Sequence, residues 1–275
     1  MNDLQGMLEL FRQVSGARDA GWCPTLPMQS GKPPKPSSPM HGMCSALVGI
    51  FPYFCGDTPG TLCLYARGKD YHTALTARLQ AAAEALSDAY PGVRFRPGCD
   101  ASPINEVRAA ALAGLGVFGD NGLFISETYG SFVFIATLAT DAEVDLPEHP
   151  PRTCLHCGAC ARACPTGVIG GGDKRTDCLS AISQRKGELT DAELALLRRQ
   201  NTVWGCDACQ LACPYNRKAV IDPLPEFARD LIADIPAEML DASPEEWMRF
   251  LEGRAFAWRG YEVPLRNLRA LHAKE

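Results

Sequence analysis

No stretch of this chain is apolar for anything near the roughly 18 residues that a membrane crossing requires. The longest such run, Ser131 to Ala139 (SFVFIATLA), is far too short. Positive charge is not in excess either. The formal net charge is -5, so the surface as a whole does not advertise nucleic-acid binding, although a local basic face would suffice for phosphate contacts. The N-terminus, MNDLQGMLEL, lacks the basic region and apolar core of a secretory leader. With reduced thiols this points to the cytoplasm. A Walker-type loop is absent. The spacing G-x-G-x-x-G occurs at Gly114–Gly119, but it follows a predicted helix and precedes a predicted hairpin, which is the wrong context for a dinucleotide.

Cysteine, by contrast, is abundant: the chain has 13. Cys154, Cys157, Cys160 and Cys164 form C-x2-C-x2-C-x3-C, closed by Pro165. After the single Cys178, the run Cys206, Cys209 and Cys213 forms C-x2-C-x3-C, closed by Pro214. A cubane iron–sulfur cluster takes four thiolates, and in two-cluster ferredoxins the last cysteine of each run ligates the other cluster. Crossed ligation assigns Cys154, Cys157, Cys160 and Cys213 to one 4Fe-4S cluster. Cys178, Cys206, Cys209 and Cys164 hold the other. Zinc also accepts C-x2-C pairs, but four cysteines in one run ending in Pro favour clusters.

The chain as a whole, 46% hydrophobic and 21% charged, has the composition of an ordinary globular protein. Residues 2–15 carry Leu4, Met7, Leu8, Phe11 and Val14 at helical spacing. Residues 23–42 are rich in Pro, Ser and Gly and read as irregular loop. Ser45 to Phe51 reads as a strand, Tyr71 to Tyr90 as a helix with Leu75, Leu79, Ala82, Ala83 and Leu86 on one face, and Val93 to Arg96 as a strand before a Pro97-Gly98 turn. Ser102 as N-cap with Pro103 in the first helical position predicts a helix ending at Gly114. Gly116, Gly119 and Gly122 mark a loop. The apolar runs Leu123–Ile125 and Ser131–Thr140, around Thr128-Tyr129-Gly130, suggest a hairpin. Thr190 with Glu193, and Ser243 with Glu246, have capping-box spacing. The expected organisation is an α/β catalytic domain over residues 1–145, a ferredoxin-like domain over 146–225, entered through the Pro-rich segment Asp141–Arg152, and a C-terminal helical segment over 226–275. Basic residues gather at Lys174, Arg175, Arg185 and Lys186, and at Arg254, Arg259, Arg266, Arg269 and Lys274, where solvated helix faces are the ordinary explanation.

Several segments together resemble the epoxyqueuosine reductases, the cobalamin-dependent iron–sulfur enzymes that finish queuosine synthesis in tRNA. They are Ile50-Phe51-Pro52-Tyr53, Tyr65-Ala66-Arg67-Gly68-Lys69-Asp70-Tyr71-His72, Phe95-Arg96-Pro97, Asp100-Ala101-Ser102-Pro103 and Ala113-Gly114-Leu115-Gly116. Both cysteine runs match, as do Cys178-Leu179-Ser180, Gln184, Lys186-Gly187, Arg259-Gly260-Tyr261 and Leu265-Arg266-Asn267. The resemblance spans roughly residues 45–267. It implies a nitroreductase-like α/β (α+β) sandwich followed by a ferredoxin-like domain, and a base-off cobalamin held between them. Reductive dehalogenases share that arrangement.

The implied reaction is a two-electron reduction that opens an epoxide and loses water, with low-valent cobalt attacking the strained carbon. The developing alkoxide needs an acid, and Asp100 matches the family's proton donor. Near neutrality that role calls for a raised pKa, for example through burial against the corrin. The plainer alternative is that Asp100 caps the helix opened by Pro103. Cys63, Tyr65, Cys99, Asp100, Asn121, Ser180, Gln184 and Lys186 are the implied cofactor contacts, while Asp70, Tyr71 and His72 fit the start of a long helix. Free cysteines elsewhere are ordinarily buried small apolar residues. The implied partners are tRNA at its anticodon region, or a small-molecule substrate, and an external low-potential electron donor.

Three departures accompany the match. The Pro-rich loop 23–42 replaces a longer N-terminal region, Asp120 stands where the family commonly has Lys, and the chain ends without the helical-repeat domain many members carry. A corrinoid reductase of a small molecule and a non-catalytic two-cluster carrier are the alternative functions.

Overall fold

The computed structural model describes residues 3–25, 38, 40–100, 102–145, 149–150 and 152–273. Most of the Pro-rich loop and part of the Asp141–Arg152 segment lie outside them, as does Lys274. The chain divides into two compact units that are discontinuous in sequence. One comprises 1–52, 72–156 and 218–224, the other 53–71, 157–217 and 225–275. Linear boundaries at 145 and 225 therefore do not coincide with the units: residues 53–71 and 225–275 pack with the cysteine runs.

The first unit begins with α1 (Leu4–Ser15), whose apolar spacing buries Met7 and Phe11. The Asp3 carboxylate accepts the Gly6 N–H at its start, and Gly16 ends it at φ 75°, donating to Arg12 O. Strands β1 (Asp19–Pro24) and β2 (Ser45–Pro52) follow. Every residue of β2 is buried, as a continuous apolar run at a sheet centre requires. Helix α2 (Tyr71–Ala89) buries Leu75, Leu79, Ala82, Ala83 and Leu86, the face read from the sequence. Next come β3 (Phe95–Gly98), α3 (Glu106–Leu112), β4 (Gly116–Phe118), β5 (Phe124–Ser126), β6 (Val133–Thr140) and β7 (Arg152–Thr153).

One sheet has the order β1-β2-β6-β3, antiparallel throughout, with β2 and β6 in register from Ser45↔Thr140 to Pro52↔Val133. The second has the order β5-β4-β7. Mixed helices with mainly antiparallel pairing make this an α+β arrangement. Helix α3 lays Ala109, Ala110 and Ala113 onto a core with Val48, Ile50, Ile104, Phe124 and Ile135.

Four local expectations need correction. Residues Asp19–Pro24 form an edge strand whose Cys23-Pro24 end reads as loop in the sequence. Strand β3 runs through Pro97-Gly98, so no turn forms there. Helix α3 starts at Glu106, because Asn105 accepts the Arg108 N–H, whereas Ser102 accepts the Ile104 N–H in a preceding turn. Finally, β5 pairs with β4 rather than with β6, so Gly116 lies in a strand and the tight turn is Gly119–Gly122, with Gly122 at φ 82°.

The second unit is mostly helical: α4 (Ala159–Ala163), α5 (Leu179–Gln184), α6 (Asp191–Arg199), α7 (Ala208–Leu211), α8 (Pro244–Leu251) and α9 (Glu262–His272). Both capping boxes form, Thr190 with Glu193 on α6 and Ser243 with Glu246 on α8. Trp204, Trp247 and Phe256 are fully buried in its main core. Asn267, fully buried on α9, donates to Ser183 O and Val203 O at 2.7 Å each. Two segments that precede the second cysteine run are thereby tied to one helix. Among the described residues, no helix is long and apolar enough to cross a membrane.

Candidate functional site

The acid comes first. β3 ends at Gly98, and the chain then turns at Asp100 with φ 57°, a left-handed conformation that a residue other than glycine adopts uncommonly. Two contacts hold it. Its N–H donates to Glu106 Oε1 at 2.5 Å, and its Oδ2 lies 2.9 Å from His72 Nε2. His72 is the second residue of α2 and Glu106 the first of α3, so both contacts come from helices of the first unit. The Asp100 side chain is 62% exposed. It is presented to solvent and does not cap the helix, since Asn105 does. The burial expected of Asp100 falls on Glu106 instead. Desolvation pushes the Glu106 carboxyl up to about 8, the Asp100 N–H and the His72 charge pull it down, and the Asp100 charge pushes it up. Sequence reading missed Glu106 and gave His72 a structural role only. An acid in the first turn of a helix ordinarily answers to the helix N-terminus, which hides its engagement with a residue six positions earlier.

The thiols come second. Helix α4 carries Cys160, α7 carries Cys209, and the two helices pack against each other. Cys178 sits at the N-cap of α5, and Cys164 at the C-cap of α4. Burial pushes the Cys206 thiol up to about 11, with Asp207, Cys178 and Cys164 raising it further against the lowering Ala208 N–H. Thiolates crowded in a half-buried site repel one another, a cost that iron would relieve by ligating them as anions. Around Cys164, burial raises the pKa, but the Thr166 hydroxyl and the amides of Ile169, Thr166 and Val168 outweigh it and lower the pKa. Amide and hydroxyl groups directed at a sulfur are what a cluster thiolate uses. None of the cysteines is paired in a disulfide. The donor set therefore fits clusters.

Cys154 belongs to the first unit, where its N–H donates to Phe118 O. Beside it, His156 adopts φ 49° and bridges Asp120 Oδ1 (2.8 Å) and Thr153 Oγ1 (3.0 Å). Asp120, where the resembled family commonly has Lys, thus faces a histidine.

The expected cofactor contacts differ in accessibility. Cys63 is buried, its N–H donating to Trp204 O. A Cβ at Gly205 (φ 74°) would lie 2.1 Å from Cys63 Sγ, so only glycine fits before Cys206. Burial raises the Cys63 pKa well above its usual value. Tyr65 accepts the Trp204 indole N–H at 3.0 Å, Asn121 accepts the Leu123 N–H, and Gln184 donates to Ser180 Oγ. Tyr65, Cys99, Asn121, Ser180 and Gln184 are half-buried, whereas Asp100 and Lys186 are exposed. Within the second unit, Asp57, Leu62, Cys63, Arg67, Cys206 and Asp207 help line a cavity of about 230 Å³. Ordinary ligand pockets run from roughly 300 to 1,000 Å³, so this space suits a few waters and not a corrin. Its Asp207, raised to about 6 by burial against the pull of the Leu64 N–H, accepts from Leu64 and Gln210. In the basic C-terminal cluster, Arg254 donates to the carbonyls of Arg67 and Asp230, and Arg266 to those of Arg185 and Gly187.

An α+β unit presenting a held acid, joined to a helical unit with clustered thiols, defines an iron–sulfur protein of the two-cluster ferredoxin kind with a second, chemistry-bearing part. Comparison with known proteins agrees. Residues 153–216 match the 4Fe-4S double cluster binding domain, and residues 35–101 match the family described as Epoxyqueuosine reductase QueG, DUF1730. An epoxyqueuosine reductase of Francisella cf. novicida is 34% identical over 215 residues, covering 74% of this chain and 58% of that protein. Its counterpart in Pseudomonas aeruginosa is 36% identical over 211 residues, again 74% of this chain and 58% of that protein. The solved epoxyqueuosine reductase of Streptococcus thermophilus superposes with a TM-score of 0.82 at 21% identity, over 98% of this chain and 81% of that one. An epoxyqueuosine reductase solved with an epoxyqueuosine-modified tRNA stem loop superposes with a TM-score of 0.82 at 23% identity, covering 98% and 80%. The chain is similar to the epoxyqueuosine reductases in sequence and shares the fold of the solved ones, and it spans 58% of the length of these two curated relatives.

Proposed function

We propose that this chain is a cobalamin-dependent iron–sulfur reductase that converts epoxyqueuosine to queuosine in tRNA, in the cytoplasm. The observation that carries the reading is Asp100: an exposed carboxyl, held left-handed between His72 and Glu106, on a chain that also bears a double-cluster domain. One cluster is held by Cys154, Cys157, Cys160 and Cys213, the other by Cys178, Cys206, Cys209 and Cys164. An external low-potential donor feeds them. Two electrons and two protons convert the epoxide to an alkene and water. Cobalamin, when bound, would supply reducing equivalents at a nucleophilic metal, and the residues assigned to it would hold it near Asp100. The chain's own part is to deliver protons and place the groups. Asp100 gives its proton to the oxygen released from the epoxide, and His72 holds the carboxyl in position.

Of the eight residues assigned to the cofactor, Tyr65, Cys99, Asn121, Ser180 and Gln184 are partly exposed and Asp100 and Lys186 exposed, so these seven are able to meet it. Cys63 is buried and acts by packing against Gly205. Two relatives support the substrate and the acid. One was solved with an epoxyqueuosine-modified tRNA stem loop. The Bacillus subtilis enzyme was solved with its catalytic aspartate loop swung out of the active site.

A second reading is a corrinoid reductase of a small molecule. It is favoured by the Asp120–His156 pair, and by Arg254 and Arg266 being engaged with backbone carbonyls. The test is conversion by the cluster-loaded, cobalamin-supplied chain under strong reduction, with the modified base in a tRNA stem loop and as free nucleoside. Conversion in the stem loop supports the first reading. Cobalamin retention without conversion of either form transfers the support to the second.

A further inference from the structure

We propose that Glu106 is the positioning residue of Asp100, its carboxyl latching the Asp100 N–H so that the acid stays in its left-handed conformation opposite His72. The role assigned to Asp100 rests on the function proposed above, whereas the latch itself is a statement about this loop.

The latch follows from what the conformation costs and what repays it. A residue with a Cβ is disfavoured at φ 57°, and Asp100 is exposed, so packing does not hold it there. Two anchors do. Glu106 takes the main chain through Oε1, and His72 takes the side chain through Nε2. They restrain different torsions of one residue and come from the first turns of two different helices.

The Glu106 anchor is the stiffer of the two. Asn105 fixes the start of α3 by accepting the Arg108 N–H, and buried Ala109, Ala110 and Ala111 seat the helix on the sheet core. The anchor is also half-buried. A carboxyl whose neutral form is favoured still offers its carbonyl oxygen to the Asp100 amide, so the latch survives protonation. His72, by comparison, is 36% exposed and meets an exposed carboxylate, a pairing that contributes little on its own. Glu106 therefore sets where the backbone turns, and His72 selects the side-chain direction after that.

The test uses the full cluster-loaded chain and reads amide hydrogen exchange in the peptide covering residues 98–104, with the α3 peptide as internal control. Glu106→Leu removes the acceptor at similar size. It should raise exchange in 98–104 by about tenfold, the effect of losing one backbone hydrogen bond to a side-chain acceptor, while α3 exchange and iron content hold. Glu106→Gln keeps an acceptor oxygen and should restore slow exchange, even if Glu106→Leu folds poorly. In the activity assay, Glu106→Leu should lower kcat more than it raises KM, because the acid is misplaced rather than the substrate lost. Wild-type exchange in folded Glu106→Leu, or fast exchange in folded Glu106→Gln, overturns the latch. The exchange readout decides this even if the wild type fails to convert epoxyqueuosine, so failure of the latch is distinguishable from failure of the function.

Discussion

The two units hold their reactive groups by opposite means. In the helical unit the proposed ligands are sulfurs with two or three residues between them, and short helices such as α4 and α7 need only bring one run against another. In the α+β unit the proposed acid, Asp100, is a single residue on a turn, held by His72 from 28 positions before and Glu106 from six positions after. Cluster ligands tolerate local redundancy because the iron itself imposes geometry. A general acid has no such template, so the fold must supply its orientation. Exposure differs as well: apart from the exposed Cys157, the proposed ligand cysteines are half-buried or buried, whereas Asp100 faces solvent.

The contrast can be broken most severely at the sulfurs. Cys209→Ala should lower bound iron from about eight to about four per chain, since a cubane requires four thiolates; unchanged iron by elemental analysis would remove Cys209 from the ligand set. A milder break targets the scaffold around the second run. Asn267→Ala leaves the buried carbonyls of Ser183 and Val203 without their donor, which should destabilise the chain by about 2 kcal/mol or more. Denaturant midpoints of the cluster-loaded protein check this, and an unshifted midpoint contradicts it.

The smallest effect sharpens the acid side. The Glu106 carboxyl is raised from 4.5 in the unfolded chain to about 8 in the fold, chiefly by burial, with Asp100 and His72 the charged groups that face it. The folded state therefore favours its neutral form. That stability is present in full below about pH 4.5 and is lost as pH rises through about 8. Wild type should lose stability across this window while Glu106→Gln loses less, measured by urea midpoints at matched ionic strength. Parallel midpoints in the two proteins would show that Glu106 ionises without cost.

What was legible in the sequence follows the range of the interactions. Helix α2 with its buried face, the capping boxes of α6 and α8 and the central strand β2 rest on contacts within a few residues or on continuous apolar runs. The cysteine runs likewise carry their chemistry in their spacing. The pairing of β5 with β4 rather than β6 was not legible, because two strand neighbours were available and the tight Gly119–Gly122 turn decided between them. Nor was the start of α3. Ser102, Pro103 and Asn105 all carry start signals, and which side chain wins depends on where the chain leaves β3. Asp100 stands out in the sequence only through a resemblance of segments. Its two anchors were not found, since nothing local links residues 72, 100 and 106.

The most direct measurement compares wild type with Asp100→Asn, both loaded with clusters and cobalamin and given an epoxyqueuosine-bearing stem loop under excess reductant. Equal iron and equal cofactor retention with turnover lower by about 100-fold or more, the scale of losing a general acid, is the predicted result. Full turnover by Asp100→Asn would contradict the account.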